Sequence, residues 1–501
     1  MAGVTSGNLG AINDAINSQK GPDTTLGNAN DKEGADTTAE VQAIVNAYNV
    51  ILVQANDVDS TAGNNTAATT PNATAQQYAL VGADIGAAAT DADNLALLSD
   101  IVAGQQTAGV NTVAKIDNLA RIANAIQLTA AGGTPDPALT EADLSLVGLT
   151  GATPENLPAV LAAIAGKTDS GSETDSLSAL QTIVTAAAAS AVQALANLST
   201  FAQSNTTGLA SATGTVPTLA TYVEAGVVGV NANNLDAIND ALASAPINGA
   251  AADTAAKIQV VVNAYNGILA EANDTSSAPG DNIPDTTPLV DPIAANFASI
   301  GADIGAAATD ADNLALLNDI VAGQQTAGVD TIAEINELAR IANAIQSVAD
   351  IGTATPALTA TDFAKVGMSG VTADNLPAVL TAIAAKNNNG SETDSLSKLQ
   401  TLITATATAQ SAAIDKIADF AEAGSIAPTH TDYTAAGVAG VTSGNVDTIN
   451  DAINSQTGAD SILGNDNDRA GADTTAKVQA IVNAYNAILA EANDTTSASG
   501  D

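Results

Sequence analysis

Cysteine is absent from this 501-residue chain, and so is tryptophan. The first absence removes disulfides, a thiol nucleophile and thiolate metal ligation from consideration. A single histidine, His430, leaves a Ser/His/Asp triad or a histidine metal site without a second component. Aromatic residues make up 2% of the chain, so small Ala/Val/Ile/Leu cores are expected in place of one large core built on rings. Basic residues are scarce as well: 13 Lys and Arg stand against 54 Asp and Glu, a formal net charge of −41. Nucleic acid and anionic membranes both require a basic face, which argues against either as a partner. Self-repulsion of this size suits surroundings whose salt or divalent ions screen it. The opening MAGVTSGNLG carries neither a basic stretch nor an apolar one, and no run of about 18 apolar residues occurs, so neither an address nor membrane insertion is expected.

What the chain does have is repetition. GVTSGNLGAINDAINSQ at Gly3 returns as GVNANNLDAINDALASA at Gly229 and as GVTSGNVDTINDAINSQ at Gly440. The blocks Gly82 to Gln127 and Gly301 to Gln346 differ at only six of 46 positions, which marks recent duplication. A catalytic site is normally built once per domain, so repetition points to architecture. The sequence opens inside its own repeat, at the second glycine of a motif whose first helix is missing, and reads as a segment of a longer protein.

Within the long repeat lies a shorter one of roughly 70 residues, in three pieces. Its middle piece is Asn followed by apolar residues at +1, +4 and +8, as in Asn8-Leu9-Ile12-Ile16 and Asn156-Leu157-Val160-Ile164, and again from Asn94, Asn234, Asn313, Asn375 and Asn445. That spacing predicts one buried helical stripe, with Asn as the N-cap whose side chain accepts a helix N–H. Pro158 and Pro377, second in their helices, fit a position where a missing N–H costs little. The third piece begins at Asp36, Asn111, Asp175, Asp253, Asp330, Asp394 and Asp473 and starts a second amphipathic helix, such as Val41, Ile44, Val45, Tyr48, Ile51, Leu52. Its acidic residue is expected to cap the first turn and to favour the positive end of the helix dipole. The first piece is a short helix with a bulky residue four places before a glycine: Tyr78/Gly82, Leu144/Gly148, Tyr222/Gly226, Phe297/Gly301, Phe363/Gly367 and Tyr433/Gly437. Glycine there fits a left-handed C-cap. All ten aromatics fall at core-facing positions of the repeat or its connectors, which leaves none for a binding platform.

The fold class expected is therefore all-α: a tandem array of small three-helix bundles, each burying its own stripe with some packing between neighbours. The boundaries are 1–57 (first helix missing), 72–133, 134–203, 214–274, 289–350, 354–424 and 425–501. Two connectors, from Asp175 to Phe201 and from Asp394 to Phe420, read as long helices that hold neighbours together. Ser60 to Gln77 and Thr275 to Pro288, rich in Ser, Thr, Asn and Pro, read as flexible joints.

Candidate chemistry is thin. Asp466, Asp468 and Gly471 occupy positions 1, 3 and 6 of an EF-hand-like count, but Ala470 at position 5 and Lys477 at position 12 spoil the cage. Asp169, Glu173 and Asp175 form another acidic turn, whose counterpart reads KNNNGSETD. Diffuse screening of an acidic surface is the plainer account of both. The glycine pair Gly82/Gly86 lacks the strand before it that a phosphate loop needs. No catalytic, cofactor-binding or metal-ligating residue is assigned, no cofactor is expected, and the chain reads as a non-enzyme.

Ala436-Gly437-Val438 through Ile449-Asn450-Asp451-Ala452 resembles the GA module, a small three-helix domain found in tandem on Gram-positive surface proteins. In that family a first helix ends at Ala-Gly-Ile/Val-Thr and a second carries an Ile-Asn pair. The likeness does not extend to the family's albumin-binding face, because the second helices here have no aromatic and almost no basic residues. The wider pattern of acidic, Cys-free repeats is similar to the extender regions of very large bacterial adhesins. The resemblance implies a structural stalk at a bacterial cell surface or outside the cell, whose partners are neighbouring modules and other copies of itself. Two alternatives stand beside it: a self-assembling subunit of a filament or surface layer, and an array of host-protein-binding modules.

Overall fold

The computed structural model describes residues 1–19, 34–56, 72–167, 173–273, 291–386, 392–424, 426–456 and 468–492. Among these the protein is helical, with no β-strand and a single isolated bridge between Thr207 and Ser244. In chain order the helices are α1 Leu9–Asn17, α2 Thr38–Ala55, α3 Ala75–Leu80, α4 Ala92–Ala103, α5 Val113–Ala130, α6 Glu141–Leu146, α7 Leu157–Ala165, α8 Leu177–Ser204, α9 Leu219–Glu224 and α10 Leu235–Leu242. They continue as α11 Ala255–Ala272, α12 Ala294–Ser299, α13 Ala311–Ala322, α14 Ile332–Ile351, α15 Ala360–Lys365, α16 Leu376–Ala384, α17 Leu396–Ala423, α18 His430–Ala435, α19 Val446–Asn454 and α20 Thr475–Ala492. The chain forms two compact units, one of Met1–Ser204, Thr213–Leu235 and Ile247–Val260, the other of Asn205–Ala212, Asp236–Pro246 and Val261–Asp501.

The six-residue helices are held by their ends. Thr74, Thr140, Thr218, Thr359 and Thr429 each cap one, accepting the N–H three residues on, while that residue's side chain bonds back to the threonine. The bulky residue that follows is fully buried in all six, and the glycine after it is left-handed, as at Gly82 (φ 82°) and Gly226 (φ 77°). The next N–H then reaches back to the bulky residue's carbonyl: Ala83 to Tyr78 (3.0 Å) and Val438 to Tyr433 (2.9 Å). This is the Schellman closure, and the glycine caps read from the sequence hold.

Two other capping expectations are corrected. Asn8, Asn156, Asn375 and Asn445 do sit at the N-cap, but their side chains accept nothing from the helix. Each faces backward into the preceding turn: Asn156 Oδ1 accepts the Thr153 N–H (2.7 Å) and its Nδ2 donates to the Gly151 carbonyl (2.8 Å). The same pair of bonds ties Asn8 to Thr5 and Gly3, Asn234 to Asn231 and Gly229, and Asn375 to Thr372 and Gly370. Asn94 and Asn313 lie inside the first turn, and Asp91 and Asp310 cap those helices. In the third piece the cap is the hydroxyl residue after the leading Asp or Asn: Thr37, Thr112, Thr331 and Ser395. In three copies the acidic residue instead pairs with a lysine four places on: Asp253 with Lys257, Asp394 with Lys398 and Asp473 with Lys477 (2.7 Å each).

The stripes turn inward, but not copy by copy. In the first unit one cluster of buried side chains runs unbroken from Ala11 to Ala187, through Tyr48, Leu98, Ile126 and Val160. Successive copies thus share a core, so the packing between neighbours is continuous within this unit. A fully buried Leu, Ile or Val contributes roughly 1.5–3 kcal/mol, so the shared positions couple neighbours strongly. In the second unit a cluster joins Ile414, Ile417 and Ala421 of α17 to Tyr433, Ile449 and Val482.

The connector helices α8 and α17 are 28 residues each, about 42 Å long. Each packs on the helix before it and continues onto the next copy, α8 against α9 and α17 against α18 and α19. By length and composition α8 is apolar enough to cross a membrane, although Ser, Thr and Gln punctuate its alanines and leave no uninterrupted apolar run. One face of it packs through Leu180, Val184 and Leu198, and another carries exposed Gln193 and Asn197, bonded to each other (3.0 Å). Of the joints read from the sequence, 60–71 and 275–288 lie outside the described residues, while Ala75–Gln77 belong to α3. Aromatic burial is complete or nearly so at eight positions, and Phe420 and Tyr485 are half-buried.

Candidate functional site

The most specific polar constellation recurs where one copy meets the next. Six residues after the leading Asn stands an aspartate in five copies: Asp14, Asp100, Asp240, Asp319 and Asp451. Four of them accept the first helical N–H of a helix in the following copy. Val113 donates to Asp14 Oδ2 (2.6 Å), Leu177 to Asp100 Oδ2 (2.6 Å), Ile332 to Asp240 Oδ2 (2.7 Å), and Leu396 to Asp319. These amides open α5, α8, α14 and α17, where helix geometry leaves N–H groups without an internal partner and concentrates positive potential. A carboxylate there latches one copy onto its successor. Burial pushes the Asp100 carboxyl above its usual range, and Asp175 adds to this, against the lowering effect of the Leu177 hydrogen bond.

Two further bonds accompany the latch. The Tyr48 hydroxyl donates to the Val110 carbonyl (2.7 Å), and the Tyr265 hydroxyl to Val329 (2.9 Å). Burial, with Asp14 beside Tyr48 and Asp240 beside Tyr265, pushes both phenols well above their usual range and keeps them protonated donors. Asn56 exchanges hydrogen bonds with Thr107, as Asn273 does with Thr326. The next junction uses buried glutamines: Gln127 with Thr174, and Gln346 with Thr393. Arg121 pairs with Asp143, and Arg340 with Asp362 and Glu337. Hydrogen bonds from Arg340 and Lys365 pull the Glu337 carboxyl down to about 2.

Residues weighed for chemistry scatter. His430 is exposed at the start of α18. Asp468 is fully buried in a single turn Asp468–Gly471, and Asp466 lies outside the described residues. Glu173 pairs with Lys167 (3.4 Å), its counterpart Glu392 pairs with Lys386 (3.1 Å), and Asp169 is outside the described residues. Among the described residues no three His, Asp or Glu side chains converge as a metal site would require. An open groove of ≈ 460 Å³ beside α7, α8 and α9 is walled by Ala159, Ala163, Ile183 and Ala187, with Lys167 and Glu224 at its edge. Another, of ≈ 580 Å³, is lined by Ser369, Gln400, Thr404 and Asp415.

The latch aspartates were missed from sequence. Their register was visible as a recurring Asp at +6, replaced by Ala162 and Thr381 in the two copies that lead into α8 and α17. No family model matches the chain, and no curated protein and no solved structure matches it.

Proposed function

We propose that the protein is a non-enzymatic structural repeat segment, a stalk or extender of a secreted or surface-exposed bacterial adhesin or matrix protein. In this reading its three-helix modules, similar to the GA module, stand in tandem, and each hands its load to the next. The observation that carries it is the aspartate latch: one contact recurs between successive copies, so the repeated side chains are consumed in joining copies. The shared core supports the same reading, since it couples neighbours without a separate ligand. The connectors α8 and α17 act as struts. A net charge of −41 keeps chains apart and extended, and the partners are neighbouring modules, with no nucleic acid and no membrane insertion. The polar bond between Gln193 and Asn197 on α8 suits water better than lipid.

Small-angle scattering of the full chain tests this. A compact body of 501 residues has a radius of gyration of about 23 Å. An extender gives a value well above that, with a cross-section of a few helices. A radius near 23 Å, or turnover of a substrate that fails on mutation of groove residues, would sink the proposal.

A further inference from the structure

Helices α1, α10 and α19 are three copies of one sequence, and so are α2, α11 and α20. Five of the side chains they turn toward the following copy are identical in all three: Asp14, Asp240 and Asp451; Ala47, Ala264 and Ala484; Tyr48, Tyr265 and Tyr485; Ile51, Ile268 and Ile488; Ala55, Ala272 and Ala492; a sixth, Gln54, which bonds Ser99 and Ala73, is Glu271 and Glu491 in the other two. In the first two copies this face is covered. Ile51 and Ile268 are 0% exposed, and the flanking alanines are buried. In the first copy the cover is the segment 72–133, whose α3 and α4 lie against α2, whose Val110 carbonyl accepts the Tyr48 hydroxyl and whose Val113 N–H meets Asp14. In the second the near-identical segment 289–350 does the same through Val329 and Ile332.

In the third copy, among the described residues, the same face is open. Ile488 is 62% exposed, Ala484, Ala492 and Asp451 are exposed, and Tyr485 is half-buried. We propose that the face formed by Asp451, Ala484, Tyr485, Ile488 and Ala492 is a docking surface for a segment of the 72–133 type. The chemistry required is already on display twice: an apolar helix pair to cover Ile488, a carbonyl for the Tyr485 hydroxyl, and a helix N-terminus that offers its first N–H to Asp451. An isolated aspartate or an exposed isoleucine alone would specify nothing, but five identical residues in identical register specify the partner their twins hold. A second copy of this chain is excluded as the occupant, because in each copy the matching sides of 72–133 and 289–350 are already taken by α2 and α11. The inference rests on junction geometry and holds whether or not the chain is an extender.

The test extends the full chain with a second copy of residues 57–204 placed after Asn493, the position equivalent to Asn56. Amide hydrogen exchange across 478–492 is compared with that of the unextended chain. Docking slows those amides at least ~10-fold, an equilibrium shift of about 1.4 kcal/mol. Ile488→Asp in the extended chain restores fast exchange there while leaving α2 unchanged. Exchange in α20 equal to that of the unextended chain, whether or not the added segment folds, overturns the proposal. So does a dimer of the unextended chain in sedimentation equilibrium that Ile488→Asp abolishes, because the occupant would then be a second copy.

Discussion

Replacing Asp100 with alanine strips the first amide of α8 of its acceptor. In the native structure that amide donates to Asp100 Oδ2 at 2.6 Å, and Leu177 itself is buried, so water has poor access to take the carboxylate's place. A buried donor left without a partner costs about 1–3 kcal/mol. The charge–dipole attraction at a helix N-terminus adds about 0.3–1 kcal/mol in favour of the carboxylate. Burial opposes that second contribution, as the raised pKa of Asp100 records. Asn keeps an oxygen in place and drops the charge, so Asp100→Asn is expected within about 1 kcal/mol of wild type while Asp100→Ala loses about 1–3 kcal/mol. The pH dependence has a definite sign. A carboxyl whose folded pKa is raised contributes stability that is full below the usual aspartate range and fades as pH rises through the raised value. The advantage of wild type over Asp100→Asn is therefore larger near pH 4 than near pH 7. Amide exchange resolved at residues 177–180 reads these effects locally: about 5- to 150-fold faster in Asp100→Ala, and at most ~5-fold in Asp100→Asn. Equal exchange in the two variants, or no change in the alanine variant, would refute the latch.

Tyr78 buries a hydroxyl with no partner among the described residues, and the equivalent residue in the near-identical copy is Phe297, so Tyr78→Phe should stabilise by about 1 kcal/mol in urea titration. Tyr48→Phe breaks the bond to Val110 and should destabilise by about 1–2 kcal/mol; a matching response of the two variants would contradict this assignment. Asn156→Ala removes both ties of the turn before α7, and melting should show a loss of about 1–3 kcal/mol, whereas loss of a helix-capping bond alone would be rescued by serine. The Glu337 carboxyl is depressed to about 2, so it contributes stability above the usual glutamate range that is lost as pH falls toward 2. Glu337→Gln should thus be less stable than wild type near neutral pH and equal to it near pH 2. The gap is no more than about 1 kcal/mol because both Glu337 and Lys365 face solvent, and a gap that persists at pH 2 would rule the ion pairs out as its cause.

Much of the helical layout could be read from the chain because it is set locally. The +1, +4, +8 stripe after each Asn, the bulky residue four places before a left-handed glycine, and the runs that became α8 and α17 involve residues within a few turns of each other. The direction of the Asn side chain could not be read, since the amide of Asn156 serves a turn behind it as readily as a helix ahead. Nor could the acidic N-cap be placed: Asp394 and Ser395 are both capping residues by type, and the hydroxyl caps whether the residue four places after the aspartate is Lys398 or, after Asp330, Glu334. The latch stayed hidden for a different reason. Asp14 and Val113 lie 99 residues apart, and no local pattern announces a partner at that distance. The same distance concealed the shared core, because the stripes look alike whether they close on their own copy or on a neighbour.

That shared core is the central physical claim, and Leu98→Ala tests it most directly. Leu98 is fully buried in the second copy, and removing its side chain costs about 2–5 kcal/mol. Hydrogen exchange measured across the first unit should show protection falling in α2 and in α8 as well as in α4 and α5, because the packing runs through all of them. Loss confined to residues 72–133, with α2 and α8 exchanging as in wild type, would show that each copy stands alone and would contradict the account.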